Sequence, residues 1–239
     1  MAVQKNVLLS GRVGKYIFYV RNGTYCVRAV PGKVKQTKAT KARAKEFGKA
    51  ARIGATLRNQ LYEVIPFPAD NSMQTRLLSA ILEWLKESGD SRTARIQNLD
   101  MVRGFQFTSV IRPMTARFKV KPAISILSAD SLQIKIPGFS PTQSISAPAH
   151  TVSVKLKITA GKWEPGEDLI EGEQPATLLY DYNSKPVAAQ ILTFEFPMPK
   201  EGLVVVGASL EYTVMKNGRP QINKNKAFMP AGIIEAFYI

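Results

Sequence analysis

Cysteine and histidine are nearly absent from this sequence; Cys26 and His150 are the sole examples of each. That scarcity excludes disulfides, thiol–disulfide chemistry, zinc sites built from Cys and His, and any metal site that needs two imidazoles. A serine triad would have to use His150 as its base, and no acid stands near it in sequence to orient the ring. No apolar run approaches the roughly 18 residues that cross a bilayer. The opening stretch, Met1-Ala2-Val3-Gln4-Lys5, lacks the apolar core of about 7 residues that a signal peptide carries. The chain is therefore expected to have no membrane span and to stay in the cytoplasm. Phosphate-loop signatures are missing too: there is no G-x-x-x-x-G-K-[ST], and no G-x-G-x-x-G after a strand. Gly11-Arg12-Val13-Gly14-Lys15 has neither that spacing nor a following helix. No cofactor and no catalytic residue is assigned, and the protein is read as not an enzyme.

Acidic residues are the other scarcity, and this one is local. The chain has 239 residues and a formal charge of +15, from 33 Lys and Arg against 18 Asp and Glu. Residues 1–60 hold 14 of the bases and a single acid, Glu46. The excess charge thus lies almost wholly in the first quarter, which points to a local anionic partner rather than to general solubility.

The elements follow from periodicity. Tyr16–Arg21 and Thr24–Val30 are rich in β-branched and aromatic residues. Asn22-Gly23 between them tolerates the positive φ angles of a two-residue type I′ turn, so residues 16–30 read as a β-hairpin. Tyr16, Phe18 and Val20 fall on one face, with Ile17, Tyr19 and Arg21 on the other. Gly11 and Gly14 mark turns or bulges. A helix is expected from about Thr40 to Val64, capped by Thr37 or Thr40 and stopped by Pro66. At 100° per residue Lys38, Lys41, Lys45, Lys49 and Arg52 share roughly 80° of arc. Phe47, Ala50, Gly54, Leu57 and Leu61 form the apolar back. A second helix begins at Ser72 as N-cap, shows a Leu77/Leu78/Ile81/Leu82/Leu85 stripe, and closes at Gly89. A short helical turn is expected at 91–98.

From about residue 102 the pattern changes to strands. Alternation is read at 116–121, 132–136 and 152–159, and further strands at 177–182, 189–197, 203–207, 209–215, 221–228 and 232–239. Lys216-Asn217-Gly218-Arg219 is a second hairpin signal. The expected fold class is α+β. An N-terminal module over 1–100, hairpin plus two helices, precedes an antiparallel β-sandwich over 101–239, with Ig-like and jelly-roll-like strand orders both open. No flexible linker separates the two parts, so they can share a core.

Two charged features are candidates for function. The first is the basic module: Lys15, Arg21, Arg28, Lys33 and Lys35 from the hairpin and connector, then Lys38, Lys41, Lys45, Lys49 and Arg52 from the helix. Cations neutralise phosphates while interleaved aromatics stack on bases, so this face suits nucleic acid or another polyanionic surface. The plain alternative is a solvated helix face over buried hairpin aromatics. An ordinary solvated helix mixes signs at i, i+4, however, and this stripe contains no acid. The second feature is Glu164, Glu167, Asp168, Glu171 and Glu173 beside Trp163. It lacks the EF-hand periodicity and assigns no metal; a solvated loop is the plain reading, and a docking patch for a basic surface the functional one. That patch supports a rival role: a structural assembly subunit, of a phage-like or secretion-related particle, in which the basic module of one copy docks on the acidic patch of the next to give a homo-oligomer.

The segments Ser10-Gly11-Arg12-Val13-Gly14-Lys15-Tyr16-Ile17-Phe18-Tyr19, Tyr25-Cys26-Val27-Arg28 and Lys33-Val34-Lys35-Gln36-Thr37 together resemble the N-terminal signature of an uncharacterised protein family from Bacteroidota. The resemblance covers about 50 residues. It implies a bacterial origin and a basic N-terminal region followed by a β-rich part, and it carries no activity.

Overall fold

Both Asn-Gly pairs form tight turns, with φ of 49° and 77° at Asn22 and Gly23 and 52° and 73° at Asn217 and Gly218. These left-handed values are what a type I′ turn requires. A computed structural model describes residues 2–3 (backbone only), 9–32, 35–66, 70–89, 92–109, 112–166 and 175–239. Lys33, Glu167, Asp168, Glu171 and Glu173 lie outside the described residues. By internal contacts the chain divides into two units, Met1–Ala44 and Lys45–Ile239. The division falls inside a helix, and the helices after residue 45 share a buried cluster with the later strands.

The first unit is built on an antiparallel sheet of four strands: β1 (Ala2–Val3), β2 (Gly11–Val13), β3 (Tyr16–Arg21) and β4 (Thr24–Ala29), in the order β1-β4-β3-β2. Cys26 is buried at 6% exposure, packed as a small apolar side chain. Helix α1 (Lys38–Gln60) starts here. Thr37 supplies its N-cap, its hydroxyl accepting from the Thr40 N–H at 3.1 Å.

In the second unit α1 continues, followed by α2 (Met73–Ser88), α3 (Arg92–Gln97) and α4 (Met114–Arg117). The remaining elements are β5 (Ala123–Ser128), β6 (Ser131–Ile136), α5 (Pro141–Ser144), β7 (Thr151–Trp163), β8 (Ala176–Asp181), β9 (Gln190–Glu195), β10 (Leu203–Lys216), β11 (Arg219–Ile222) and β12 (Ala231–Tyr238). They form two antiparallel sheets. One has the order β11-β10-β7-β8, with β12 also paired to β10; the other is β5-β6-β9. The α+β class therefore holds.

β10 divides the interior. Every residue from Leu203 to Leu210 is buried. Leu203 and Val205 enter one cluster with Ile53, Leu57 and Leu61 of α1 and Leu77, Ile81 and Trp84 of α2. Val204, Val206, Ala208 and Leu210 enter the other with Val154, Leu156, Leu132 and Ile134. Alternate residues of one strand thus serve two cores, which explains the unbroken apolar run in its sequence. Glycine lets α1 approach the sheet: a Cβ on Gly161 would stand 2.7 Å from Gln60 Oε1, and one on Gly207 3.0 Å from Val64 Cγ2.

Several expectations are corrected. Residues 116–121 are not a strand. Pro113 starts the short helix α4, and Phe118 makes one isolated bridge to Ile145. Arg117, placed on a solvent face by the alternation, is buried; it donates to the Ala227 carbonyl at 3.0 Å and lies 4.2 Å from the Phe228 ring centroid. The strands expected at 203–207 and 209–215 are the single strand β10, which runs through residue 208 with a bulge against β12 at Val206/Gly207 and another register shift against β7 at Thr213/Val214. The strand expected at 221–228 is shorter: β11 ends at Ile222, and Lys226–Phe228 is a 3-10 turn. β5 was not foreseen. Helix α1 stops at Gln60, with a 3-10 turn at Tyr62–Val64 completing the expected span. Phe47 is not part of the apolar back but 53% exposed. Ser72 occupies the N-cap position of α2 without capping through its side chain; Asp70 does the work instead, its Oδ1 accepting from Ser72 N–H at 3.0 Å while Oδ2 pairs with Arg76 at 2.9 Å.

Truncating Leu57 removes a side chain from the helix–sheet core, so Leu57→Ala is expected to cost about 3 kcal/mol, whereas Phe47→Ala stays within about 0.5 kcal/mol; thermal melts of both variants check the contrast. The Ser72 N–H hydrogen bond, with the Arg76 and Ser72 side chains, holds the Asp70 carboxyl well below the usual carboxylate range. Its contribution is then complete above the unfolded-state pKa and is lost as pH falls toward the folded one. Asp70→Asn should melt below the parent at pH 7, with the gap narrowing as the pH is lowered below about 4.

Candidate polyanion-binding surface

Register decides what each face of the N-terminal sheet presents. Arg12 pairs with Ile17, which pairs in turn with Arg28. Tyr19 pairs with Cys26, and Arg21 with Thr24. Directly paired residues share a face, so Arg12, Arg21, Arg28 and Tyr19 lie on one side. With strands about 4.8 Å apart, the Cα atoms of Arg12 and Arg28 stand roughly 10 Å from each other across Ile17. All three arginines are exposed. The Arg28 guanidinium is 5.6 Å from the Tyr19 ring centroid, a cation–π contact that orients it. Arg12 donates from Nε to the Gly14 carbonyl at 3.3 Å.

The opposite face carries Val13, Tyr16, Phe18, Val20 and Tyr25, with Tyr16 55% exposed. Cations and aromatics are therefore largely segregated by the pleat rather than interleaved on one surface; Tyr19 alone stands among the arginines. Lys15, in the turn after Gly14, is exposed, as is Lys35. Arg12 was not among the residues singled out from the sequence. β2 has three residues, too few for a period-2 pattern to show which way its arginine points.

On α1, Lys38, Lys41, Lys45 and Arg52 are exposed. Lys49 differs: it is half-buried, with Nζ 5.9 Å from the Trp163 ring centroid. This member of the stripe is engaged by its own chain, at the strand end that leads to Glu164, the one described residue of the acidic segment.

Charge balance separates the two units. Met1–Ala44 contains ten bases and no acid, so its cations have no carboxylate within their own unit. Between described residues every ion pair lies in Lys45–Ile239, as in Lys155–Glu211 at 2.8 Å and Lys157–Glu63 at 3.7 Å. Those last two pairs border a cleft of about 540 Å³ lined by Tyr62, Ile65, Leu210, Ile222 and Lys224. Its charges are compensated, and no nucleophile–base pair converges on it. His150 is exposed in a turn with φ of 60°, and it forms no ion pair with a described residue. Burial pushes the Tyr180 phenol up to about 12, and its hydroxyl donates to Gln190 at 2.7 Å, a structural role. Among the described residues no group of three His, Cys, Asp or Glu side chains is placed to hold a metal, and no helix is long and apolar enough to cross a membrane.

No protein-family model matches the chain, and no curated protein is significantly similar to it in sequence. The chemistry of its surfaces is the ground for a functional reading.

Lys49→Ala removes a partly shielded cation–π contact and should cost about 0.5–1 kcal/mol of stability, while Lys41→Ala should be neutral. Chemical unfolding followed by tryptophan fluorescence distinguishes the two.

Proposed function

We propose that this protein is a binding protein without catalytic activity whose basic N-terminal module engages nucleic acid through its phosphates. One observation carries the reading: a 44-residue unit with ten bases and no acid, three of whose arginines share an exposed sheet face. An uncompensated cluster of like charges is self-repelling, and a polyanion relieves that repulsion while counterion release drives binding. The segregation of cations from most aromatics favours contact with the sugar–phosphate backbone over base readout, so binding is sequence-independent. Arg12, Arg21, Arg28, Lys15 and Lys35 supply the charge, together with Lys38 and Lys41 at the start of α1. In this reading the second unit is the scaffold. Its five- and three-stranded sheets are the two layers of a β-sandwich, supported by the single buried cluster to which Val154, Val206, Leu132 and Ile134 all contribute. The setting is the bacterial cytoplasm.

The test is titration of fluorescent oligonucleotides with nuclease-treated protein across a salt series. Five to eight neutralised phosphates give a log–log salt slope of about −4 to −7 on duplex. Replacing Arg12, Arg21 and Arg28 together by alanine should flatten the slope by about two to three and weaken binding to unrelated sequences equally. Lys185→Ala, in an exposed loop of the second unit, should change neither. Absence of oligonucleotide binding at low salt overturns the reading.

A further inference from the structure

The sheet β5-β6-β9 ends in a strand that is open on its outer side. β5 pairs with β6 alone, and no other backbone hydrogen bond between described residues reaches Ala123–Ser128. The strand has six residues, no charge and no proline. Ile126 is 38% and Leu127 55% exposed. Natural sheets block such edges with charge, proline or a cover, as the outer strand β11 does with Pro220. On β5 the only interruption is a bulge at Leu127, at its far end.

We propose that this edge is a dimer interface, paired antiparallel with the same edge of a second copy about a two-fold axis through Ser125. Charge decides in favour of a second copy. β5 is preceded by the exposed Lys121 and followed by the exposed Asp130, and neither makes an ion pair with a described residue. Antiparallel pairing brings Lys121 of each copy beside Asp130 of the other, so the complementarity occurs twice. In the register centred on Ser125, Ile124 stands opposite Ile126 of the second copy. Both isoleucines share the face on which Ile124 packs against the second core cluster. Pairing therefore extends that apolar surface across the axis, covers Ile126, and gives the outward N–H and C=O groups of β5 their partners. The joined sheet has six strands. The second unit, with 23 bases against 18 acids, is close enough to neutrality for two copies to meet.

Sedimentation of the nuclease-treated full chain over a concentration series tests this. The expected result is a reversible dimer. Ile126→Lys should weaken it at least tenfold while leaving the circular dichroism of the folded protein unchanged. Lys121→Glu and Asp130→Lys should each weaken it several-fold, and the double variant should recover the parent affinity. Ser125→Cys should form an intermolecular disulfide in the folded dimer. A monomer at every concentration overturns the proposal, and so does a dimer indifferent to Ile126→Lys and to the charge exchange.

Discussion

The central constraint is that β10 is buried on both faces. A strand in that position must carry apolar side chains in both phases of the pleat, and Leu203–Leu210 does so. Its odd-numbered residues meet the helices α1 and α2, and its even-numbered residues meet the strands of the other core. Each buried aliphatic side chain contributes roughly 1.5–3 kcal/mol against exposure, so the two clusters together account for most of what orders the second unit. The end of α1 and the turn after it reach the sheet because Gly161 and Gly207 place no side chain against Gln60, Leu61 and Val64. Gln60 uses that proximity, its side-chain oxygen accepting from the Lys162 backbone N–H.

This arrangement separates support from surface. The second unit neutralises many of its own charges by ion pairs, two of them flanking its cleft. The first unit has no acid with which to do so. Pairing across β2, β3 and β4 then concentrates three arginines on one side of a small sheet. In the proposed role, a cationic face with one tyrosine suits a sugar–phosphate backbone more than a set of bases, since it offers attraction without a pattern of donors and acceptors. The helix stripe plays a less uniform part than its periodicity suggests, because Lys49 is drawn to Trp163.

Local signals were legible wherever neighbouring residues alone settle the conformation. The Asn-Gly turns, the first hairpin, a start of α1 near Thr37 or Thr40, and the alternation of β6 and β7 are all of this kind. Misreadings came where distant residues intervened. Ala116, Phe118 and Val120 alternate like a strand, yet Pro113 starts a helix there and Ala227 and Phe228 hold Arg117 inside. Phe47 has the right phase for the apolar side of α1, but the buried part of that helix begins at Ala50. β5 escaped notice because an edge strand need not bury one face fully, and its exposed Ile126 and Leu127 blur the period-2 pattern.

The sequence by itself determined the α+β class, the turns, most strand and helix positions, and the confinement of excess charge to the N-terminal quarter. These depend on backbone preference, period and composition, which are properties of short segments. The tertiary structure decided which cations stand together, which strand divides the two cores, and which strands lie at the sheet edges. Those depend on pairing between residues far apart in the chain. A shift of one residue in register would carry Arg12 and Arg28 to opposite sides of the sheet with no change in any local signal.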